Sequence, residues 1–322
     1  MVYTKALLTI YSPMPYAGEI AALTTAALWA ITSVFFSEAG KRIGSFNVNN
    51  IRLVMAVIIY GTVMTITTGS PIPSDINSKQ IFWLGLSGFV GLVFGDSCGF
   101  KALVMIGPRL MTLLYSTAPI FASVIAWIFL GESLRLIDVL GITITISGVL
   151  WVITERKANH RIQNSNDKNH PDSGSFRKGI LLGLGAGLGQ GLGLVLAKQG
   201  MIYSGNSVAA MPASFIRMIV ATICIWLISS LTGKVGGVVS KVKDFKGMKL
   251  TLGGAFFGPF LGVWMSLLAL EYIRTGVAAT LNATTPIMII PVVMFYYKER
   301  VSWRAVIGAI IAVGGVTILF LS

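Results

Sequence analysis

The sequence predicts an all-α integral membrane protein of ten transmembrane helices, arranged as two inverted-topology five-helix repeats around a central cavity. Three observations lead there. The composition is too apolar for a water-soluble surface, ten apolar segments are each long enough to cross a bilayer, and the second half of the chain repeats the first.

Of the 322 residues, 54% are hydrophobic and only 11% are charged, with a mean hydropathy of +0.79. A soluble domain carries roughly 25% charged residues. The formal charge of +13 would suggest nucleic acid if the basic residues shared one face. They sit instead between long apolar runs, where they set orientation in a membrane. The first residues, MVYTKALLTIYSPMPYAGE, hold a short apolar run broken by two prolines. A signal-peptide core needs about 7–15 apolar residues, so this stretch is expected to be retained. The two cysteines, Cys98 and Cys224, lie in apolar runs and suit neither a disulfide framework nor a metal cluster. No metal and no cofactor is expected.

A helix that crosses the bilayer needs about 20 mostly apolar residues. The segments are 18–38, 48–68, 81–106, 109–131, 136–154, 179–200, 208–231, 250–273, 276–297 and 303–321. Lipid offers the backbone no hydrogen-bond partner, so each must be a helix or a barrel strand, and continuous apolarity over this length selects helices. Residues 155–178, ERKANHRIQNSNDKNHPDSGSFRK, form a polar linker between a first repeat, 1–154, and a second, 179–322. Both histidines, His160 and His170, fall in that linker.

The repeat is read directly from the residues. ALVMIGPRLMTLLYSTAPIFASVIAWIFLGE (102–132) aligns without gaps on ALEYIRTGVAATLNATTPIMIIPVVMFYYKE (269–299). Pro119 then matches Pro286, Glu132 matches Glu299, Gly141 matches Gly308, and Gly148 matches Gly315. NIRLVMA (50–56) and FIRMIVA (215–221) pair Arg52 with Arg217. An odd number of spans per repeat inverts the second repeat relative to the first, as in many secondary transporters. Lys41, Arg42, Arg52, Lys101, Arg109 and the bases of 234–249 and 298–304 all fall on the linker side. The opposite side has only Lys5, Lys79, Arg135, Lys198 and Arg274. That bias puts the linker in the cytoplasm and both termini outside, in the cell membrane.

The stretch GDSCGFKALVMIGPRLMTLLYSTAPIFASVIAWIFLGESL and the later LALEYIRTGVAATLNATTPIMIIPVVMFYYKERVSWRAVIGAIIAVGGV carry a resemblance. Both resemble the second half of an EamA-type repeat of the drug/metabolite transporter superfamily. The matching features are Pro119 and Pro286, then Glu132 and Glu299, then the glycines of spans five and ten. The resemblance implies a ten-helix basket that moves small metabolites by alternating access. It implies no particular substrate, since members handle amino acids, sugars, nucleotide-sugars and drugs.

GDSCG (95–99) also fits G-x-S-x-G, the pattern that presents a nucleophilic serine. A serine nucleophile needs a base within hydrogen-bond reach, and no span contains a histidine; Lys101, four residues on, lies near a helix end. An enzyme is therefore not expected. Asp96 is the more telling residue. It lies some ten residues, or about 15 Å, from the end of its span, near the membrane midplane. A carboxylate there costs at least about 2.5–3.5 kcal/mol, so it should face a cavity or a partner. Three roles are open to it: binding a substrate amine, carrying a proton, or pairing with an arginine. Arg217 follows Pro212 well inside span seven, whereas Arg52 reads as nearer a membrane surface.

Polar and aromatic residues near the midplane of other spans complete a candidate binding set: Trp29, Tyr115, Gln190, Trp264, Asn282 and Thr284, with Asp96 and Arg217. Pro119 and Pro286 cannot donate the helical hydrogen bond, so each frees a carbonyl one turn earlier. Two such breaks at matching repeat positions point to a midplane site. Glu271 and Arg274 form either a gate or an interfacial ion pair, and Glu132 and Glu299 are expected to fix turns. In GLGAGLGQGLGL (183–194), Gly183, Gly187 and Gly191 recur every fourth residue and offer a small face for helix contact. The expected function is a secondary transporter of small polar or amphipathic metabolites such as amino acids, working as an exporter. The expected partners are a small-molecule substrate and the lipid bilayer, not nucleic acid; proton coupling and a monomer or homodimer remain open. A multidrug exporter, a channel and an intramembrane hydrolase are the alternatives.

Overall fold

The computed structural model describes residues 16–70, 76–130, 136–163, 173–203, 207–273, 278, 281–298 and 301–321, and every regular element among them is helical. In the first repeat these are α1 (Ala17–Ile43), α2 (Ser45–Thr68), α3 (Ser78–Gly88), a π-helical segment (Phe89–Gly95), α4 (Asp96–Tyr115), α5 (Ala118–Leu130) and α6 (Leu136–Gln163). The second has α7 (Ser173–Met201), α8 (Ala210–Leu231), α9 (Val235–Lys241), α10 (Phe245–Ala255), a π-helical segment (Phe256–Gly262), α11 (Val263–Tyr272), α12 (Thr285–Tyr296) and α13 (Trp303–Leu321).

Six stretches are long and apolar enough to cross a membrane unaided: Ala17–Ile43, Ser45–Thr68, Ser78–Tyr115, Gly174–Met201, Ala210–Leu231 and Phe245–Ala269. Shorter apolar pieces complete the ten-span, two-repeat architecture. Ser78–Tyr115 itself holds the whole third span and the start of the fourth. Gly107 adopts φ 79° and ψ 166°, and Pro108 follows it. Glycine takes a positive φ without a Cβ penalty, and proline opens a helix where its missing N–H is not needed.

The polar linker 155–178 carries regular structure at its ends. α6 continues to Gln163 and α7 already begins at Ser173, so helix occupies both ends of it. The short helix α9 was not legible as an element, being brief and flanked by lysines; it seats the buried Val238 in the cluster around Val48 and Phe36.

The two repeats interlock. α7 packs into the groove of α3, α4 and α5, while α1 packs against α10, α11 and α12; α2 meets α8, and α6 meets α13. Glycine makes the first of these contacts close. Gly183, Gly187 and Gly191 lie against Leu114, Thr117 and Ala118, and Gly185, Gly189 and Gly193 against Cys98, Gly95 and Gly91. A methyl group at Gly189 would sit 2.6 Å from Gly95 Cα, and one at Gly187 would sit 2.7 Å from Thr117 Oγ1. Alternating glycines on a helix fall on two faces, not one, and α7 uses both.

Candidate functional site

The backbone departs from regular α-helix at equivalent places in both repeats. Phe89–Gly95 and Phe256–Gly262 are π-helical, the widened turn that recurs at functional sites. In lipid, polar backbone groups at such turns need partners from the protein. Gln190 Nε2 donates to Gly91 O at 3.0 Å, and Arg52 Nη2 and Asn49 Nδ2 each donate to Leu92 O at 3.4 Å. Tyr60 Oη serves the second repeat, donating to Pro259 O and Phe260 O at 3.2 and 2.9 Å. The fourth and ninth spans break as well, at Ser116–Thr117 before Pro119 and at Ala283–Thr284 before Pro286. There Thr117 and Thr284 donate from Oγ1 to Leu114 O and Leu281 O at 2.6 and 2.7 Å.

These irregular turns surround a cavity of about 680 Å³. Its wall includes Trp29 and Thr32 of α1, Asp96 of α4, Tyr115 and Pro119 about the fourth-span break, Gln190 of α7, Arg217 of α8, Ser266 of α11 and Asn282. One end reaches Lys198, Gln199 and the exposed Ile202 near the end of α7. The other ends on Phe36, Phe100 and Leu103, which belong to a buried apolar cluster with Ile43, Val48 and Ile106. Beyond that cluster, polar contacts tie α1 to the second repeat. Arg42 Nε meets Asp244 Oδ1 at 2.7 Å, and Glu38 accepts from Lys41 Nζ at 2.7 Å and Tyr297 Oη at 2.6 Å.

Asp96 begins α4 directly after the first π turn and is buried. Its Oδ2 pairs with Arg52 Nη2 at 2.5 Å, and its Oδ1 accepts from Gln190 Nε2 at 2.9 Å. Arg52 is wholly buried among neighbouring helices: it is 0% exposed, with Phe100 and Phe36 rings at 4.8 and 5.8 Å and Asn49 Oδ1 accepting from its Nε at 2.9 Å. Distance from the span end misleads here because α1, the first π turn and α4 cover this part of α2. The sequence did hold a signal. Asn49 and Arg52 lie three residues apart, on one helical face, and Arg52 is the repeat counterpart of Arg217.

Arg217 reaches the same place from the other repeat. A methyl group at Gly88 would collide with its backbone carbonyl, so the glycine lets α8 approach the third span. Its Nη2 lies 3.5 Å from where a Cβ on Gly91 would stand. It is 5% exposed, and its Nε has no hydrogen-bond partner. Asn282 Oδ1 and Thr32 Oγ1, also on the wall, are likewise buried without one. Trp29 and Tyr115 lie with ring centroids 6.2 Å apart, an apolar wall beside these polar groups.

The remaining expected residues fall elsewhere. Trp264 packs beside Phe260 at 6.1 Å and joins the apolar clusters of α8 and α2, because Val263 and Ser266 take the cavity-facing side of α11. Thr284 closes its own turn, and Pro286 adjoins Arg109 and Ile290 in a crevice of about 10 Å³. Glu271 Oε1 accepts from Ala210 N at 2.6 Å and so caps the start of α8. Arg274, Glu132 and Glu299 lie outside the described residues. Ser97 Oγ accepts from Asn49 Nδ2 at 2.9 Å, inside a helix and beside no base. Among the described residues no cluster of His, Cys, Asp and Glu could hold a metal ion.

Fold and site together define a multi-pass membrane protein whose two repeats enclose a cavity of metabolite size. The chain belongs to the EamA-like transporter family, whose model matches residues 16–154 and 177–321. It is thus a membrane transporter of the drug/metabolite superfamily type. A solved protein crystal structure is similar over 94% of this chain and 96% of that one, with 13% identity and a TM-score of 0.59, a likeness of fold. No curated protein matches the chain.

Proposed function

We propose that this transporter moves small polar or amphipathic metabolites across the cell membrane by alternating access, as an exporter, with amino acids the first class to test. The observation that carries the reading is the cavity, open at one end and sealed by packed side chains at the other. Its volume, about 680 Å³, lies within the roughly 300–1,000 Å³ of small-molecule sites. The bias of lysine and arginine makes the sealed end cytoplasmic and places both termini outside. The conformation then corresponds to an outward-facing state. The Arg42–Asp244 pair and the Glu38–Tyr297 contact join the repeats at the sealed end and must part for the site to face the cytoplasm.

Substrate would lie against Trp29 and Tyr115, with Asp96, Gln190, Arg217 and Asn282 around its polar groups. Because Arg52 and Gln190 engage both Asp96 oxygens, the carboxylate acts in this reading as an organiser of the site, not as a proton carrier. The test is counterflow in proteoliposomes. Saturable exchange of a labelled metabolite supports a carrier; unitary currents instead of saturation would assign a channel.

A further inference from the structure

The two repeats contribute equivalent arginines but only one carboxylate. Continuing the alignment that matches Pro119 with Pro286 pairs Asp96 with Val263. Arg52 therefore has an acidic partner in its own repeat, with Asn49 Oδ1 accepting from its Nε, Leu92 O from its Nη2, and aromatic rings beside it. Arg217 has a valine where that partner would be. Asp96 is drawn to Arg52 through one oxygen and to Gln190 through the other, and among the described residues it makes no ion pair with Arg217.

Arg217 is nevertheless buried, at 5% exposure, and lines the cavity with an Nε that meets no acceptor among the described residues. Arg52, Asp96 and Arg217 together carry one excess positive charge. An arginine is always protonated, so it cannot escape the cost of burial by losing its charge. A buried cation without a counter-ion is costly to the fold, and a site that keeps one is a site whose counter-charge arrives with the ligand.

We propose that Arg217 is the substrate's anion-recognition group, and that the transported compounds carry an oxyanion, a carboxylate or a phosphate, which fills the place of the missing acidic partner. This rests on the transport reading above and narrows its substrate class. The planar guanidinium matches either oxyanion with two parallel hydrogen bonds. Arg52 is not the reader, because the Asp96 carboxylate already balances its charge. Thr32 Oγ1, buried on the same cavity wall without a partner, is free to add a hydroxyl donor.

The experiment uses the full-length protein, purified, in thermal-unfolding assays against a matched panel: free carboxylic acids with their primary amides, and phosphate monoesters with their parent alcohols. The expected result is stabilisation confined to the acids or to the phosphate esters, which also identifies the oxyanion. In Arg217→Gln that shift should fall at least tenfold in apparent affinity, with Arg217→Lys between. Stabilisation by the neutral members, shifts that persist in Arg217→Gln, or no anion-dependent shift at all would overturn the proposal. A second measurement needs no ligand. Arg217→Met should leave the melting temperature of the empty protein unchanged or raise it, and a fall of several degrees would make the arginine structural. Saturable counterflow of a neutral metabolite, unaffected by Arg217→Gln, would sink the anion site while leaving the carrier intact. Absence of saturable counterflow for every compound, with unitary currents in its place, would sink the carrier instead.

Discussion

The first repeat keeps its buried charges paired, and the second does not. Arg52 and Asp96 neutralise each other within the first repeat, while Arg217, the equivalent arginine, faces the first repeat's π turn and the cavity without an acidic partner among the described residues. The backbones are alike: π turns at Phe89–Gly95 and Phe256–Gly262, helix breaks at Ser116–Thr117 and Ala283–Thr284. The repeats thus share a scaffold and divide the chemistry. A symmetric pair of ion pairs would make a sealed core, and deleting one carboxylate leaves a charge for a ligand.

The strongest way to break this comparison is to remove the paired charge. Asp96→Ala strands Arg52 in the interior, where losing one partner of a buried pair costs about 3–5 kcal/mol; the thermal midpoint and the yield of folded protein should both drop sharply. If stability is unchanged, Arg52 finds a partner the paired reading denies it. Next, restoring the missing carboxylate should make the repeats alike. Val263→Asp places an acid on the cavity wall that Arg217 shares, at the position matching Asp96, and should weaken binding of any anionic ligand by about 1.5–3 kcal/mol, the scale of a hydrogen bond to a charged group, read by titration calorimetry.

The interlock of the repeats is tested through α7. Gly191→Ala pushes a methyl into Ala118 O and Ala122 N, and such overpacking costs about 1–3 kcal/mol. Gly236→Ala has open space around it and should be silent in the same unfolding assay. The smallest effect belongs to the sealed end. The Arg42 guanidinium, with the Gly247 amide, holds the Asp244 carboxyl below the usual aspartate range. The ionised partner therefore supports the folded state above the ordinary aspartate pKa, and that support fades as pH falls through the lowered value. Asp244→Asn should lower the melting temperature slightly at neutral pH, with the difference vanishing in strong acid.

The span pattern was open to reading because hydropathy over twenty residues reports a solvent, and lipid is a demanding one. The α7 glycines announced close packing for the same reason: only their size matters. The Asp96 partner was not open to reading. Arg52 looked peripheral by its distance from the span end, and depth along a helix says nothing of what covers its flank. Trp264 failed similarly, since midplane depth does not fix which way a side chain points when Ser266, two residues on, takes the cavity side. The π turns left no signal in composition, because a widened turn depends on the groups that meet its carbonyls.

By itself the sequence determined that this chain spans a membrane as a doubled unit, that the halves match, and that a carboxylate and an arginine lie well inside apolar spans. Those facts follow from local apolarity and from spacing, which survive without knowledge of neighbours. Only the tertiary structure decided that Asp96 belongs to Arg52, that Gln190 bridges Asp96 to the π turn, and that Arg217 stands on the cavity wall without a counter-charge. Pairing depends on which helix faces meet across the two repeats, and that geometry is a property of the packed bundle, not of any segment within it.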